Sequence, residues 1–441
     1  MVMFRFLSLI FLILAFNLRA QKPVSYSQID SISYNFYLKN DFKNLRKIIN
    51  IAQKNQIDFY YLHMRAGIVA YNHHYFEYAL KEFRFAQEMN PADPDLQRYL
   101  YYTLESLNRT EDAREYANSL PESIQKKIGF NNQDLHSFSL GMIAAVNDNI
   151  TTNERKNFIN PDKKRADVVL NGNLLGLNLV LEKTKNYRLH LYHKLSLFQT
   201  HSMGIEQVDV NFQHQEVPYT NIQFQYNFGL LKVTKKGVTF GTGIGFFRTT
   251  YSDLLTKQMS NGKVNFTDLV THYNSILIAG LIGKRFERFY PVLNFHFSNL
   301  YGYSQFQAEG LFNFYPLGNS NLFLTSGYSV IKNGQVNQSV FTQKIFAKCS
   351  KWCWLEAKYS SGNHLNYMSN LGFLSFNTAD AVLQNIGLDI HLYTKKMEFV
   401  IGMSHQTRQA IYDVYSASSV FQTIKFNYSN NNLITSVKWN F

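Results

Sequence analysis

From about Gly129 onward the chain alternates between apolar and polar residues, and this limits its fold more than any other feature. In TNIQFQYNF (220–228), Ile222, Phe224, Tyr226 and Phe228 fall on one side, with Asn221, Gln223, Gln225 and Asn227 on the other. QNIGLDIHLY (384–393) sets Ile386, Leu388, Ile390 and Leu392 against Asn385, Gly387, Asp389 and His391. YRLHLYHKLSL (187–197) sets Leu189, Leu191, Leu195 and Leu197 against Arg188, His190, Lys194 and Ser196. Period two over about ten residues is a strand with one apolar face. In a soluble sandwich that face meets a second sheet; in a transmembrane barrel it meets lipid.

The carboxy-terminus favours the barrel. In NNLITSVKWNF (431–441) the apolar row is Leu433, Thr435, Val437, Trp439 and Phe441. As the edge of a soluble sheet, a flat strand carrying bare Trp and Phe would aggregate. In a barrel the same row faces lipid. Trp439 and Phe441 then sit at one membrane interface, together with Trp352 and Trp354 beside a short turn at 349–352. Short turns near 183–186, 234–237, 284–288, 317–321 and 394–396 alternate with longer polar connections at 149–165, 252–268 and 361–380. Short periplasmic turns and long outer loops are the asymmetry of such barrels. Thirteen strands can be counted before residue 410. The remainder reads either as a hairpin turning at 429–432, or as one strand over about 426–441 after an outer loop at 410–425. An even count favours the second, giving about fourteen. A mean hydropathy of −0.24 fits, because half of each strand faces a polar lumen.

The first twenty residues read as a secretory signal: MVMFR carries a positive charge, FLSLIFLILAF is apolar, and a cut after Ala20 leaves Gln21 first. Cys349 and Cys353 are the only cysteines, and in an oxidising compartment they could bridge a hairpin tip or remain free thiols. The net charge of +13 is spread along the chain without a Lys/Arg block, so nucleic acid is not an expected partner.

A different period governs the first quarter. The Ala-Gln pair of INIAQKNQID (49–58) recurs in FRFAQEMNPAD (83–93), 34 residues later. That is the tetratricopeptide period. Copies would span about 26–59, 60–93 and 94–127. The middle copy is the best formed: small Gly67 and Ala79 admit a close helix pair, Phe83 fills the space beside them, Ala86 repeats the small position, and Pro91 ends the second helix. The expected order is a signal peptide over 1–20, a helical periplasmic domain over 21–130 and a β-barrel over 135–441. The fold class is α+β multidomain: a short α-solenoid followed by an antiparallel transmembrane barrel.

Chemistry is sparse. Arg188, His190, Lys194, Glu309, Asp389, His391, Glu398 and Lys438 fall on lumen rows, where mixed charges are expected to pair. Asp389 and His391 with Ser404 make a triad only on paper. There is no HExxH, EF-hand or phosphate-loop pattern, so no catalytic residue, metal or cofactor is expected.

Signal, short repeat segment and barrel, in that order, resemble the surface-lipoprotein assembly modifiers and the YaiO-like barrels. The residues carrying the likeness are Gly67, Ala79, Phe83, Ala86 and Pro91, and the final Lys438–Phe441. The resemblance implies an outer-membrane export or surface-assembly factor of a Gram-negative cell. Its repeats would capture a periplasmic or exported protein client, and its last strand would be read by the barrel-assembly machinery. The other reading is a passive, porin-like solute channel with a periplasmic docking domain.

Overall fold

A computed structural model describes residues 24–130, 136–147, 165–207, 214–260, 263–286, 288–334, 336–375, 380–416 and 419–441. The signal-peptide expectation over 1–20 and most of the loop expected at 149–165 lie outside these residues. The chain divides into two compact units. One runs to Leu107 and includes Leu120–Ile128; the other is Asn108–Ser119 with Gly129–Phe441.

The helical segment comprises α1 (Tyr26–Leu38), α2 (Phe42–Lys54), α3 (Tyr60–Asn72), α4 (Phe76–Met89), α5 (Pro94–Ser106), α6 (Thr110–Asn118) and α7 (Glu122–Ile128). The first helices of the three pairs start at 26, 60 and 94, and the second at 42, 76 and 110, so both series keep the 34-residue period. The turns between them repeat as well. Asn40, His74 and Asn108 take left-handed φ values of 51°, 61° and 54°, a conformation that Asn tolerates better than most side chains. Starts are set by local chemistry: Ser25 forms a capping box with Gln28, and Asp93 caps α5 ahead of Pro94. Phe83, Ala79 and Ala86 are fully buried. A methyl group on Gly67 would lie 2.4 Å from the Phe83 ring, so only glycine lets α3 and α4 close over that phenyl. Pro91 follows the α4 cap residue Asn90, beyond the helix end.

The second unit is a closed antiparallel barrel of fourteen strands. They are β1 (His136–Val146), β2 (Arg165–Lys185), β3 (Leu189–Gln207), β4 (His214–Val233), β5 (Val238–Ser260), β6 (Lys263–Lys284), β7 (Phe289–Ser298), β8 (Gln305–Phe314), β9 (Leu322–Asn333), β10 (Val336–Ser350), β11 (Cys353–Gly362), β14 (Ala381–Tyr393), β15 (Met397–Ser416) and β16 (Ser419–Asn440). Two short strands, β12 (Met368–Ser369) and β13 (Leu374–Ser375), pair only with each other. Strands β1 and β16 close the cylinder from Ser137↔Asn440 to Val146↔Asn431. Closure leaves no edge, which answers the hazard posed by the last strand. The alternation holds: Leu433, Val437, Trp439 and Phe441 are exposed, as are Ile222, Phe224, Tyr226, Ile386, Leu388, Leu195 and Leu197. Gln223, Gln225, Asn227 and Asp389 point inward and are buried. An apolar belt around the whole cylinder far exceeds the few hundred Å² that a soluble surface usually tolerates, and suits hydrocarbon.

Three expected loops are different. Residues 252–268 and 410–425 are not outer loops but ladder. Strands β5 and β6 stay paired out to Ser260↔Lys263, and β15 and β16 out to Ser416↔Ser419. Neither segment carries a clean period-two alternation, so no strand signal marked them in the sequence, although the backbone continues the ladder. The third, after β11, folds into the lumen.

Candidate functional site

Among the described residues, polar groups from many strands converge in the lumen. On the β14 side, Glu356, Asp389 and His391 bring one donor atom each within 4.8 Å of the others. Lys358 bonds Asp389, Lys344 approaches Glu356 at 3.6 Å, and His391 Nδ1 lies 2.8 Å from Glu398. Among the described residues these three are the donor set that could hold a cation, and two lysines already balance them. Ser404 stands opposite Gly387 and accepts from Asn432 Nδ2 at 3.0 Å, so it does not join Asp389 and His391 in a triad. Across the seam, Lys438 Nζ bonds Glu182 at 2.7 Å.

The connection after β11 supplies the main feature. Residues 363–375 leave the long-loop end and run down the inside of the barrel as the β12–β13 hairpin, with its tip at Asn370–Gly372. The wall holds it chiefly by its backbone. Gln305 Nε2 donates to Asn366 O at 2.8 Å. Gln307 donates from Nε2 to Met368 O at 2.5 Å and accepts from Met368 N at 3.0 Å. Asn227 Nδ2 donates to Gly372 O at 3.1 Å and Lys194 Nζ to Phe373 O at 2.5 Å. Tyr367 adds a side-chain bond, donating to Glu309 at 2.6 Å. Glycines make room for the tip. A Cβ on Gly229 would lie 2.6 Å from the Phe373 ring, and one on Gly243 would lie 2.5 Å from Leu371 O.

The other end of the lumen meets α6, which belongs to the barrel unit. Arg188, in the turn before β3, bonds Asp112 at 2.7 Å and Glu115 at 2.5 Å. Lys235 in the next turn reaches Glu115 at 2.6 Å, and Arg285 Nη1 donates to Asn108 O at 2.7 Å. His190 lies 3.5 Å from Glu111. Hydrogen bonds from Lys235 and Arg188 hold the Glu115 carboxyl below its usual range.

Of the residues singled out in the sequence, Lys194 and Glu309 seat the hairpin and Arg188 and His190 meet α6. Asp389, His391 and Glu398 form the paired cluster, and Lys438 bonds Glu182. Trp439 and Phe441 stack on the outer face with ring centroids 6.0 Å apart, and Trp352 is exposed in its turn. Trp354 differs: it shares the row of Glu356 and Lys358, packs against Tyr393 and Lys348, and faces inward. Strand parity explains this, because Trp352 precedes the strand and does not fix its face. Cys349 and Cys353 are free thiols: a bulge between Lys348 and Ser350 passes over Cys349 and pairs Ser350 with Cys353, so the bridge considered for the hairpin tip is absent. The residues missed were the glycines of FGTGIGF (240–246), where Gly241, Gly243 and Gly245 share one strand face. Three inward glycines in a row signal something packed against the wall.

No family model matches the chain, and neither does any curated protein. Among solved structures the chain is similar to the P. putida toluene transporter TodX, with 9% identity over 69% of this chain and 90% of that one, TM-score 0.42. It is also similar to the translocator domain of autotransporter NalP from Neisseria meningitidis, with 9% identity over 77% and 99%, TM-score 0.32. A MamA mutant aligns at 18% identity over 26% of this chain and 60% of that one, TM-score 0.22.

Proposed function

We propose that the chain is an outer-membrane export or surface-assembly factor whose barrel rests closed. Outer-membrane lipid covers its apolar belt, the helical repeats capture a periplasmic or exported protein client, and the barrel passes or assembles that client across the membrane. Barrel-assembly machinery reads the last strand during insertion. The observation that carries this reading is the inward hairpin. Six hydrogen bonds and a set of wall glycines are committed to holding residues 366–373 inside the lumen. A passive porin keeps a water-filled channel, whereas an interior plugged by a loop suits a barrel that opens only for a client. Arg188, Lys235 and Arg285 on α6 fit the same resting state at the turn end.

Two measurements test it. In planar bilayers the intact protein stays closed and a variant lacking residues 366–373 conducts. In cells without the protein, specific molecules vanish from the surface and accumulate in the periplasm. Steady conductance of the intact chain, with an unchanged surface and reduced uptake of a small solute, would replace export with the passive-channel reading.

A further inference from the structure

We propose that the inner face of β8 is a receptor for extended polypeptide main chain, and that the hairpin occupies it in place of a client strand. This rests on the export reading above and names the form in which the client is bound.

The spacing carries the inference. Gln305 and Gln307 are two apart on one face, and they bond Asn366 and Met368, also two apart. Extended chains repeat their side chains and main-chain groups every second residue, about 6.6–6.8 Å. A row of amides at that interval therefore matches an extended segment of any sequence. Gln307 reads both groups of one peptide unit, giving its N–H to Met368 O and taking the Met368 N–H. Elsewhere on the wall, Asn227 of β4 and Lys194 of β3 bond the main-chain carbonyls of the consecutive tip residues Gly372 and Phe373.

The hairpin is an imperfect occupant. Gln305 is 3% exposed, and its Oε1 has no hydrogen-bond partner among the described residues. Asn366, which it contacts, has φ 58° and is not extended. A buried amide oxygen left unpaired is costly. A strand extended through both positions would present an N–H to Gln305 as Met368 does to Gln307. A client can therefore bind this wall more completely than the chain's own segment, and so displace it.

The test uses the barrel with residues 366–373 excised and rejoined by a glycine–serine link, recorded in planar bilayers. Four probes are added: the peptide HLNYMSNLGFLS, an unrelated Ala/Thr/Ser peptide of equal length, that second peptide with alternate amides N-methylated, and maltohexaose. Both unmodified peptides should block current, and the N-methylated one should block about tenfold more weakly. Gln305→Ala with Gln307→Ala should abolish the difference. Equal block by the N-methylated peptide, block by the chain's own sequence alone, or stronger block by maltohexaose overturns the proposal. If the excised barrel does not fold, judged by heat-dependent gel mobility, the intact chain is used. Added peptide should then raise hydrogen exchange at the Met368 amide, and no rise overturns the proposal. Surface composition reads the export role separately. Clients lost from the surface of null cells, with a channel no peptide blocks, removes the receptor and leaves export standing; a full surface with a blocked channel does the reverse.

Discussion

Gly243→Ala is the smallest change that should unseat the hairpin. The added Cβ would lie 2.5 Å from Leu371 O and 3.1 Å from Leu371 Cβ. Neither is the tip of a flexible side chain, so the clash cannot be relieved by a rotamer. Either the hairpin backbone or β5 must move, and β5 is laddered to β4 and β6 on both sides. Gly243 also has no left-handed φ to protect, so alanine strains nothing but this contact. Overpacking of this kind costs about 1–3 kcal/mol. At 1.4 kcal/mol per factor of ten, the ratio of released to seated hairpin rises about 5- to 140-fold. Single-channel recording should show the closed barrel begin to flicker open, with open probability raised by that factor. Gly280→Ala is the control, because it lies on the adjacent strand with nothing within 4 Å of its Cβ position, and it should leave the closed trace unchanged. If the two variants record alike, the hairpin does not seat against Gly243 and the steric reasoning is wrong.

Three further outcomes follow from local geometry. His63 is 3% exposed, its Nδ1 lies 2.6 Å from Glu82 and its Nε2 2.5 Å from Asp58. Burial disfavours the imidazolium, but bonds to the two carboxylates outweigh it and raise its pKa. Its contribution to stability is thus complete below the unfolded value of about 6.5 and is lost as pH rises through the higher folded value. Glu82→Gln should flatten that slope in thermal melts between neutral and alkaline pH; an unchanged slope removes His63 as the cause. Arg188→Ala should cost the α6 contact about 1.5–3 kcal/mol and speed tryptic cleavage at Arg109 or Arg114, with no change in cleavage counting against the contact. Brominated lipid should quench Trp439 and spare Trp354; equal quenching would put both on the lipid face.

The barrel was legible because each strand carries two constraints at once. Residues 220–228 must present aromatic rings and the Ile222 side chain to lipid and amides to the lumen, and the same alternation fixes register. The repeat was legible because its spacing is covalent: helix starts 34 apart need no tertiary information. The interior was not legible on the same terms. Lumen positions such as Lys194 and Asn227 read as polar whether they face water, an ion partner or a folded loop. HLNYMSNLGFLS (364–375) lacks the charge of an exposed loop and carries three large apolar residues in its second half. Its composition was a sign that it would not remain in solvent.

The hairpin's seat and the loop's sequence constrain each other. The wall bonds mostly to main-chain atoms, which any loop could provide, whereas the glycine recesses take two particular side chains, Leu371 and Phe373. Backbone bonding without side-chain selection holds an extended chain in many registers; two apolar anchors near the tip select one. Removing the anchors should therefore loosen the register before it loosens the bonds. A Leu371→Ala, Phe373→Ala pair should keep the lumen occupied but make its closed level noisy, whereas Gln307→Ala should open it outright. The reverse order of effects would mean that the apolar recesses, and not the amide row, hold the barrel shut.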